Sequence, residues 1–289
     1  MKYAYFPGCV TPLRENAYEL SARNVIAKLG VELVELNESS CCGFFLDAVD
    51  HLSSSVLAAR NLCTAKEMRC DLLTLCPTCS GHLSRIRMEL LADPKLRNNV
   101  NAILSKIDRK FDGSVEVKHL TKMLIEDVGI SRIRRSVVRP LGLKIAPHYG
   151  CHIMKPSDQL HFDNPESPHL LDSLVEATGV ECVDYLEKKL CCGAPLMGVN
   201  ETLSLRILRE KVRSISLTGA EAIVTICPFC HTHFDLNQMR LGEDQGGKGF
   251  PALPVFHYTQ ILGLAQGYDP DDLGLYENRV PVDGLLNTM

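Results

Sequence analysis

A five-cysteine pattern occurs twice in the chain, and this repeat carries the clearest chemistry in the sequence. In each copy a single cysteine precedes an adjacent Cys-Cys-Gly triplet, which precedes a Cys-Pro-x-Cys pair. The first copy comprises Cys9, Cys41, Cys42, Cys76 and Cys79, and the second comprises Cys151, Cys191, Cys192, Cys227 and Cys230. Because ten of the 13 cysteines recur in one order, we interpret them as two copies of one metal-binding site.

The number of thiols in each copy favours an iron–sulfur group. A C-x-x-C pair wraps two thiolates around one metal ion or one cluster edge, and zinc or a cubane cluster needs four such ligands. Each copy offers five. Neighbouring side chains such as Cys41 and Cys42 diverge in extended backbone, so they suit a larger group with several irons, or a bridging thiolate. Gly43 and Gly193 add backbone freedom and room for a bulky inorganic group.

Three other interpretations compete with a cluster. Structural disulfides would be unusual because the sequence shows no secretory signal and reducing compartments disfavour them. Structural zinc at one of the two sites would explain the C-x-x-C pairs but would leave the fifth thiol without a role. A disulfide between adjacent cysteines, at Cys41–Cys42 or Cys191–Cys192, would be strained.

Length and composition limit the class of protein. At 289 residues the chain is long enough for about two domains. Its net charge of −4 argues against a general nucleic-acid binder. No apolar run reaches the roughly 18 residues of a membrane span. The sequence starts directly with an apolar strand, and 13 cysteines without a visible targeting segment predict a metal protein of the reducing cytoplasm.

Predicted strands position most of the cysteines. Apolar runs at 2–6 and 71–75 end just before Cys9 and Cys76, and runs at 144–146 and 222–226 precede the matching cysteines of the second copy. Helical periodicity fills the segments between these strands. Alternating strands and helices predict an α/β fold with a small, mainly parallel sheet flanked by helices in each half. The cysteines should then lie at the carboxyl edges, where open α/β sheets bind ligands.

The repeat extends beyond the cysteines. Residues 30–32 match 179–181, and residues 72–77 match 223–228. We therefore predict two duplicated domains related by a pseudo-two-fold axis, at residues 1–135 and 136–289. The second would end in an extended tail from about Gly267. The two carboxyl edges are expected to face each other and bring the two sites together.

The remaining cysteines and several histidines have simpler interpretations beside functional ones. Cys63, Cys70 and Cys182 lack repeat partners and are expected to be buried apolar thiols. His82 and His233 each stand three residues after a C-x-x-C pair. They could cap the following turn, or support a cluster sulfur from behind.

Four basic side chains cluster around the second site in sequence without repeat partners: His148, His152, Lys155 and His231. They are candidates for binding an anionic substrate or relaying protons. His152 and His231, each adjacent to a cysteine of the second set, are the predicted catalytic proton donors.

The duplicated pattern resembles the cysteine-rich CCG domain. Together with the opening Tyr5-Phe6-Pro7-Gly8-Cys9, it makes the chain similar to the heterodisulfide reductase B-subunit family over nearly its whole length. The resemblance implies that each domain binds a noncubane [4Fe-4S] cluster on five cysteines. The first cluster would use Cys9, Cys41, Cys42, Cys76 and Cys79. The second would use Cys151, Cys191, Cys192, Cys227 and Cys230.

The resemblance also implies an activity and partners. In methanogens the family reduces the mixed disulfide of coenzymes M and B, and relatives elsewhere act on other substrates. Electrons would arrive from a flavin-containing subunit through a ferredoxin-like subunit, with a hydrogenase or a formate dehydrogenase as a further partner. The substrate would be a small anionic disulfide. Two alternatives stay open: an electron-relaying subunit of a lactate-, glycolate- or quinone-linked dehydrogenase, and a structural zinc protein used for assembly.

Overall fold

The computed structural model describes residues 1–243 and 250–289 and shows two parallel four-stranded sheets. The first sheet contains β1 (Lys2–Phe6), β2 (Glu32–Glu35), β3 (Asp71–Thr74) and β4 (Val117–His119). The second contains β5 (Lys144–His148), β6 (Glu181–Cys182), β7 (Ala222–Thr225) and β8 (Val255–His257). The predicted α/β fold with one small parallel sheet in each half is confirmed.

Both sheets have the same strand order. The first is ordered β2-β1-β3-β4 and the second β6-β5-β7-β8, with every neighbouring pair parallel. In each half the second strand therefore lies on one side of the first strand, and the third and fourth strands lie on its other side. The carboxyl ends of β1 and β3, and of β5 and β7, lie where this direction reverses, which is where open α/β sheets bind ligands.

Helices connect the strands and cover both faces of each sheet. Those of the first half are α1 (Val10–Arg14), α2 (Asn16–Lys28), α3 (His51–Glu67), α4 (Pro77–Ala92), α5 (Pro94–Leu104), α6 (Leu120–Met123) and α7 (Ile130–Ser136). Those of the second are α8 (Ser157–Leu160), α9 (Leu170–Glu176), α10 (Glu201–Ser216), α11 (Pro228–Glu243), α12 (Tyr258–Ala265) and α13 (Asp283–Leu286). A five-residue π-helix, Leu124–Val128, continues α6.

One apolar core joins the two halves, while each half also has a core of its own. The shared core contains Tyr18 and Ile26 of α2 together with Phe256 and Ile261 around α12. Polar contacts fix the same interface, since the hydroxyl groups of Ser21 and Thr259 lie 2.7 Å apart. Burying a side chain of this size contributes about 1.5 to 3 kcal/mol, so the shared core holds the halves in one arrangement.

The C-terminal segment departs from the sequence prediction. The Gly, Pro and Asp content after Gly267 predicted an extended tail, but residues 271–277 form two short 3-10 turns and α13 follows them. Leu273 and Leu275 are fully buried in the shared core. The Asn24 side chain of α2 also donates to the Asp272 carbonyl at 2.7 Å. The apolar residues between the turn formers pull the segment onto the first half.

The boundary between the two predicted domains stays a prediction. Residues 135 and 136 are the last two of α7, whose Ile133 is buried in the shared core. The strands of the first sheet all precede this helix, and those of the second all follow it.

Candidate metal centre

The cysteines of both copies gather at the carboxyl edges of the sheets. Cys9 follows β1 and Cys76 follows β3, while Cys151 follows β5 and Cys227 follows β7. The adjacent pairs lie further along, in the loops after β2 and β6. The predicted placement after the strands is therefore confirmed for these four cysteines.

The sulfur atoms within each set contact one another. In the second set the sulfurs of Cys192 and Cys230 are 3.3 Å apart, and Cys151 hydrogen-bonds to Cys191. All 13 cysteines, which lie within the described ranges, are free thiols. Disulfides are therefore not part of this arrangement, including the strained ones between adjacent cysteines.

The two sets also meet each other. The side chain of Cys76 in the first set lies beside that of Cys227 in the second set, and both are buried. Because each of these cysteines starts the loop at the centre of its sheet edge, the two edges face each other as predicted. A group bound by one set would lie directly beside a group bound by the other.

Two helices begin at the C-x-x-C pairs, and the start of the first favours ionised sulfur at Cys76. Cys76 is the N-cap of α4, with Pro77 in its first turn, and Pro228 opens α11 in the same way. Hydrogen bonds from Cys227 and Cys79, followed by backbone N–H groups of the helix start, hold the pKa of Cys76 well below its usual range. The positive end of a helix dipole favours a thiolate, which is the form that binds metal.

The Cys-Cys-Gly triplets form the same turn in both halves. Gly43 has φ 100° and Gly193 has φ 93°, a left-handed conformation that side chains rarely adopt. The N–H of each glycine points to the sulfur two residues earlier, at 3.4 Å from Cys41 in one half and Cys191 in the other. The glycine thus lets the backbone turn back and donate to a ligand sulfur.

A chain of hydrogen bonds holds the Gly43 turn from behind. The Arg85 guanidinium donates to Nδ1 of His82 at 3.1 Å, so the ring carries its proton on Nε2. That nitrogen lies 3.0 Å from the Ser54 hydroxyl, which donates to the Gly43 carbonyl at 3.0 Å. Burial lowers the pKa of His82 to about 4, so the ring is neutral at pH 7.

The second half repeats this chain with one change. Asn237 takes the place of the arginine and donates to Nδ1 of His233 at 3.0 Å. The His233 Nε2 lies 3.4 Å from the Ser204 hydroxyl, which donates to the Gly193 carbonyl at 2.8 Å. Both histidines therefore act on the turn that follows the cysteine pair, and they reach it through a serine that sequence spacing did not indicate.

We expect His82→Ala and His233→Ala to loosen these turns without unfolding the chain. Each change leaves a buried serine without its imidazole partner, at a cost of about 1 to 3 kcal/mol. Metal content and the visible spectrum of the metal-loaded protein should change in both variants. His169→Ala is the control because its side chain is 70% exposed. Wild-type spectra and metal content in both buried variants would contradict a supporting role.

The cysteine sets fit an iron–sulfur cluster. Each set brings five sulfur donors to one sheet edge. Glycine stands where the backbone passes beside a sulfur of the C-x-x-C pair. A Cβ on Gly8 would lie 3.3 Å from the Cys79 sulfur, and one on Gly150 would lie 3.5 Å from the Cys230 sulfur. Each half therefore leaves a cradle beside its C-x-x-C pair that a larger residue would fill. Thiolate donors in this number suit iron–sulfur chemistry better than a four-ligand zinc site.

A cleft between the halves opens onto the second set. Its cavity volume is about 40 Å³. It is lined by Phe44, Phe45, Pro77 and Thr78 from the first half and by Tyr149, Gly150, His152, Pro195 and Phe229 from the second, together with Cys151, Cys191, Cys192, Cys227 and Cys230. Aromatic walls around reactive sulfurs can hold a small molecule and exclude water.

His152 lies in this cleft. Its ring packs edge-on against Phe44 with 5.0 Å between the ring centroids. Burial lowers its pKa below the usual value. Lys155, predicted as another neighbour, is exposed. His152 and Pro77 also line a second, more polar cavity of about 160 Å³ that contains Arg87 and Lys122.

His231 faces away from the cleft and toward Glu15 of the first half. Its Nδ1 lies 2.9 Å from the Glu15 carboxylate, and its Nε2 lies 3.2 Å from the Val255 carbonyl. The same Glu15 oxygen lies 3.0 Å from Nε2 of His257, whose ring stacks on His231. Burial opposes a charged imidazole here, but the Glu15 carboxylate raises the pKa of His231 above its usual value.

Nothing in the sequence pattern indicated this Glu15–His231–His257 cluster. Glu15 stands in a connection between α1 and α2, and 242 residues separate it from His257. The ring planes of the two histidines differ by 17° with centroids 4.0 Å apart. Because a metal ion lies in the plane of each imidazole that binds it, stacked rings suit a shared carboxylate better than a shared metal.

The three unrepeated cysteines lie outside both sets. Cys63 and Cys70 are buried in the core of the first half, as predicted. Burial raises the pKa of Cys63 to about 11. Cys182 is half-buried at β6, and its thiol points to the Asp172 carbonyl.

Comparison with known families agrees with this geometry. The model of the cysteine-rich domain called CCG matches residues 3–84 and 145–235, which together contain all ten repeated cysteines. The chain belongs to the CCG cysteine-rich domain family. Its two family matches correspond to the two halves of the structure, so the duplication predicted from the cysteine spacing is confirmed.

Relatives of known name lie within this family. The chain is 37% identical over 284 residues to the B subunit of the ferredoxin/F(420)H(2)-dependent CoB-CoM heterodisulfide reductase of Methanosarcina acetivorans, covering 96% of this chain and 94% of that protein. It is 33% identical to a heterodisulfide reductase B-subunit-like protein of Archaeoglobus profundus, covering 94% and 92%. The resemblance to the heterodisulfide reductase B-subunit family is therefore confirmed, and by relationship the chain is an iron–sulfur subunit.

Two further comparisons broaden the family. The chain is 32% identical to "8-methylmenaquinol:fumarate reductase membrane anchor subunit" of Wolinella succinogenes, covering 96% of both proteins. Within residues 1–243 and 250–289, no helix has the length and apolar character needed to cross a bilayer. A crystal structure of a hypothetical protein from Helicobacter pylori matches 97% of this chain and 52% of its own with a TM-score of 0.75. At 19% identity that likeness shows the fold alone.

Proposed function

We propose that this chain is the catalytic iron–sulfur subunit of a heterodisulfide reductase complex. It would reduce a small disulfide, either that of coenzymes M and B or a related one, to two thiols. The observation that carries the proposal is the meeting of two complete five-cysteine sets between the halves, where Cys76 contacts Cys227 next to a cleft lined by the second set. The ten cysteines would hold two iron–sulfur clusters, and by resemblance to the family we propose that both are noncubane [4Fe-4S] clusters.

Two adjoining clusters match the electron count of the reaction. Cleaving a disulfide to two thiols takes two electrons, and clusters in both sets would supply one each when bound. The cleft is lined from both halves and by the cysteines of the second set, so a disulfide held there would lie beside the second set, with the first set next to it at the Cys76–Cys227 contact. Phe44, Phe45 and Phe229 would pack around the disulfide and exclude water.

Side chains of this protein would supply the protons that the two leaving thiolates need. His152 lines the cleft and is neutral at pH 7, because burial lowers its pKa. A neutral imidazole can pass a proton to a leaving thiolate only while its other ring nitrogen takes one up, so His152 would act as a relay from the polar cavity that it also lines. His231 stays a prediction as a second donor, since both of its ring nitrogens face Glu15 and Val255. The polar cavity beyond His152, with Arg87 and Lys122, would accept the anionic part of the substrate.

The proposal includes partners and a location. The named relatives are subunits of reductases, which supports a place in a complex. We propose that electrons reach the chain from a flavin-containing subunit through a ferredoxin-like subunit. A hydrogenase or a formate dehydrogenase would be the source of those electrons. We propose a cytoplasmic location because 13 free thiols suit a reducing compartment.

We expect the anaerobically purified chain to contain about eight irons and a similar amount of acid-labile sulfide. After reduction with dithionite and removal of excess reductant, adding the heterodisulfide should reoxidise the protein and release two thiols per disulfide. Iron and sulfide analysis, visible spectra and thiol titration measure these outcomes. Stoichiometric zinc with little iron would contradict the cluster assignment.

The same experiment separates the alternative electron-relay function. A relay subunit would contain iron and would be reoxidised by a quinone or another electron acceptor, but not by a disulfide. If the heterodisulfide does not reoxidise the reduced clusters, the proposed reaction is contradicted, while the assignment of iron–sulfur clusters still holds.

A further inference from the structure

Besides the exchange of Arg85, which is paired with Asp47 and Glu89, for Asn237, the two cysteine sets differ in two further side chains at equivalent positions. β1 ends at Phe6 and β5 ends at His148. Phe6 pairs with Thr74 on the next strand, just as His148 pairs with Thr225. The same repeat places Asn61 of α3 opposite Lys211 of α10, since each lies seven residues after the serine that bonds the Cys-Cys-Gly turn. The first half has the uncharged residues Phe6 and Asn61 at these positions. The second half has the imidazole of His148 and the ammonium of Lys211.

His148 reaches the sulfurs of the second set. Its side chain is 1% exposed. One of its ring nitrogens and the sulfurs of Cys192 and Cys230 lie within 4.8 Å of one another. Among the described residues its Nε2 has no hydrogen-bond partner. A buried imidazole nitrogen without a partner is costly, and a thiolate or sulfide at this site is the acceptor that would satisfy it.

The other ring nitrogen of His148 is held in place. Its Nδ1 lies 3.2 Å from the hydroxyl of Tyr185, a buried residue. That hydroxyl also lies 3.3 Å from the Pro147 carbonyl, and it can donate to only one of the two acceptors. When it donates to Nδ1, the imidazole carries its proton on Nε2, the nitrogen to which no described residue hydrogen-bonds. The Phe234 ring packs edge-on against the imidazole at 5.0 Å, so the ring cannot turn freely.

Lys211 places a cation near the same sulfurs. Its side chain is 1% exposed, and its ammonium donates to the carbonyls of Leu190, at 3.1 Å, and Glu187, just before the second cysteine pair. In the first half Asn61 binds the corresponding backbone with a neutral amide, 3.2 Å from the Cys41 carbonyl.

We infer that His148 and Lys211 make the two clusters unequal, so that the cluster of the second set is reduced at the higher potential. The inference rests on the proposed function, because it requires a cluster in each set. Reduction adds negative charge to a cluster. An N–H donor and a buried cation nearby stabilise that charge, and hydrogen bonds and net charge are the main means by which a protein tunes cluster potential.

The unequal sets give electron flow a direction. An electron entering the chain settles on the second cluster first, beside His152 and the cleft. The first cluster is then reduced by the next electron, and the pair is ready for a two-electron reaction. Both electrons needed to cleave a disulfide would then already be on the chain, and no further electron transfer from the donor would be needed during the reaction.

The test replaces each polar residue with its counterpart from the first half. His148→Phe and Lys211→Asn should each lower the reduction equilibrium constant of the second cluster by about tenfold, or about 59 mV for one electron. Midpoint potentials are measured by dithionite titration followed by electron paramagnetic resonance. The Cys192→Ala variant, which removes a ligand of the second set, identifies the second-cluster resonance. Lys144→Asn is the charge control, because Lys144 starts the same strand at its far end and is 52% exposed.

Each outcome bears on the inference. Unchanged potentials in both variants with full iron content would overturn it, and so would equal shifts of both clusters. If Lys211→Asn fails to fold, Lys211→Met removes the charge with an unbranched apolar chain and is expected to give the same shift. These measurements use no disulfide, so failure of the inference differs from failure of the proposed reaction. Zinc in place of iron would overturn both, and iron analysis detects it first.

Discussion

Replacement of Cys192 by alanine is expected to remove the cluster of the second set and to abolish disulfide reduction. The Cys192 sulfur is buried and lies 3.3 Å from Cys230, so no solvent ligand can easily take its place. Iron should fall from about eight to about four per chain. Because metal binding by thiolates contributes to folding, the variant should also unfold at a lower temperature. Iron analysis, thermal unfolding and release of thiols from the heterodisulfide test these effects.

The matched control changes the three cysteines outside the sets. Cys63, Cys70 and Cys182 all become alanine in one variant, which should keep both clusters and most of the activity. Attack by a protein thiolate is the ordinary route of disulfide cleavage, and these are the three cysteines left to perform it. If the triple variant kept its iron and lost activity, a thiol-exchange mechanism would replace the cluster-centred one.

Gly43→Ala is expected to destabilise the first half and to lower its iron content. The backbone at Gly43 has φ 100°, and an added Cβ would lie 2.7 Å from the Ser54 carbonyl and 3.2 Å from Nε2 of His82. Left-handed strain and overpacking together should cost about 2 to 4 kcal/mol. The turn would move, and with it the N–H that donates to the Cys41 sulfur. Chemical denaturation and iron analysis measure the two effects.

Alanine substitutions at two other glycines distinguish the cost of the left-handed backbone from the cost of steric overlap with the added Cβ. Gly219 has φ 75° with nothing within 4 Å of an added Cβ, so Gly219→Ala reports the backbone strain alone, about 1 kcal/mol. Gly198 also has open space and no left-handed φ, so Gly198→Ala should be almost silent. An effect of Gly43→Ala no larger than that of Gly219→Ala would mean that Ser54 moves aside at little cost.

Part of the site was predictable because it follows from local spacing. Each C-x-x-C pair follows an apolar run, and such a run forms a buried parallel strand whose end points to the carboxyl edge. The helix after Cys76 begins at Pro77, a residue that is typical of the first position of a helix. That start matters, since it places Cys76 and Cys79 at the positive end of α4.

The sequence alone determined the two ligand sets, their duplication and their positions along the chain, because a strand, a turn and a helix start depend on neighbouring residues. Tertiary structure alone decided which edges meet. Contacts such as Cys76–Cys227 and Glu15–His257 join residues more than a hundred positions apart. They depend on how two apolar faces pack, and many sequences with the same periodicity could pack in other ways. For the same reason, only the structure showed that His152 faces the cleft while His231 faces Glu15.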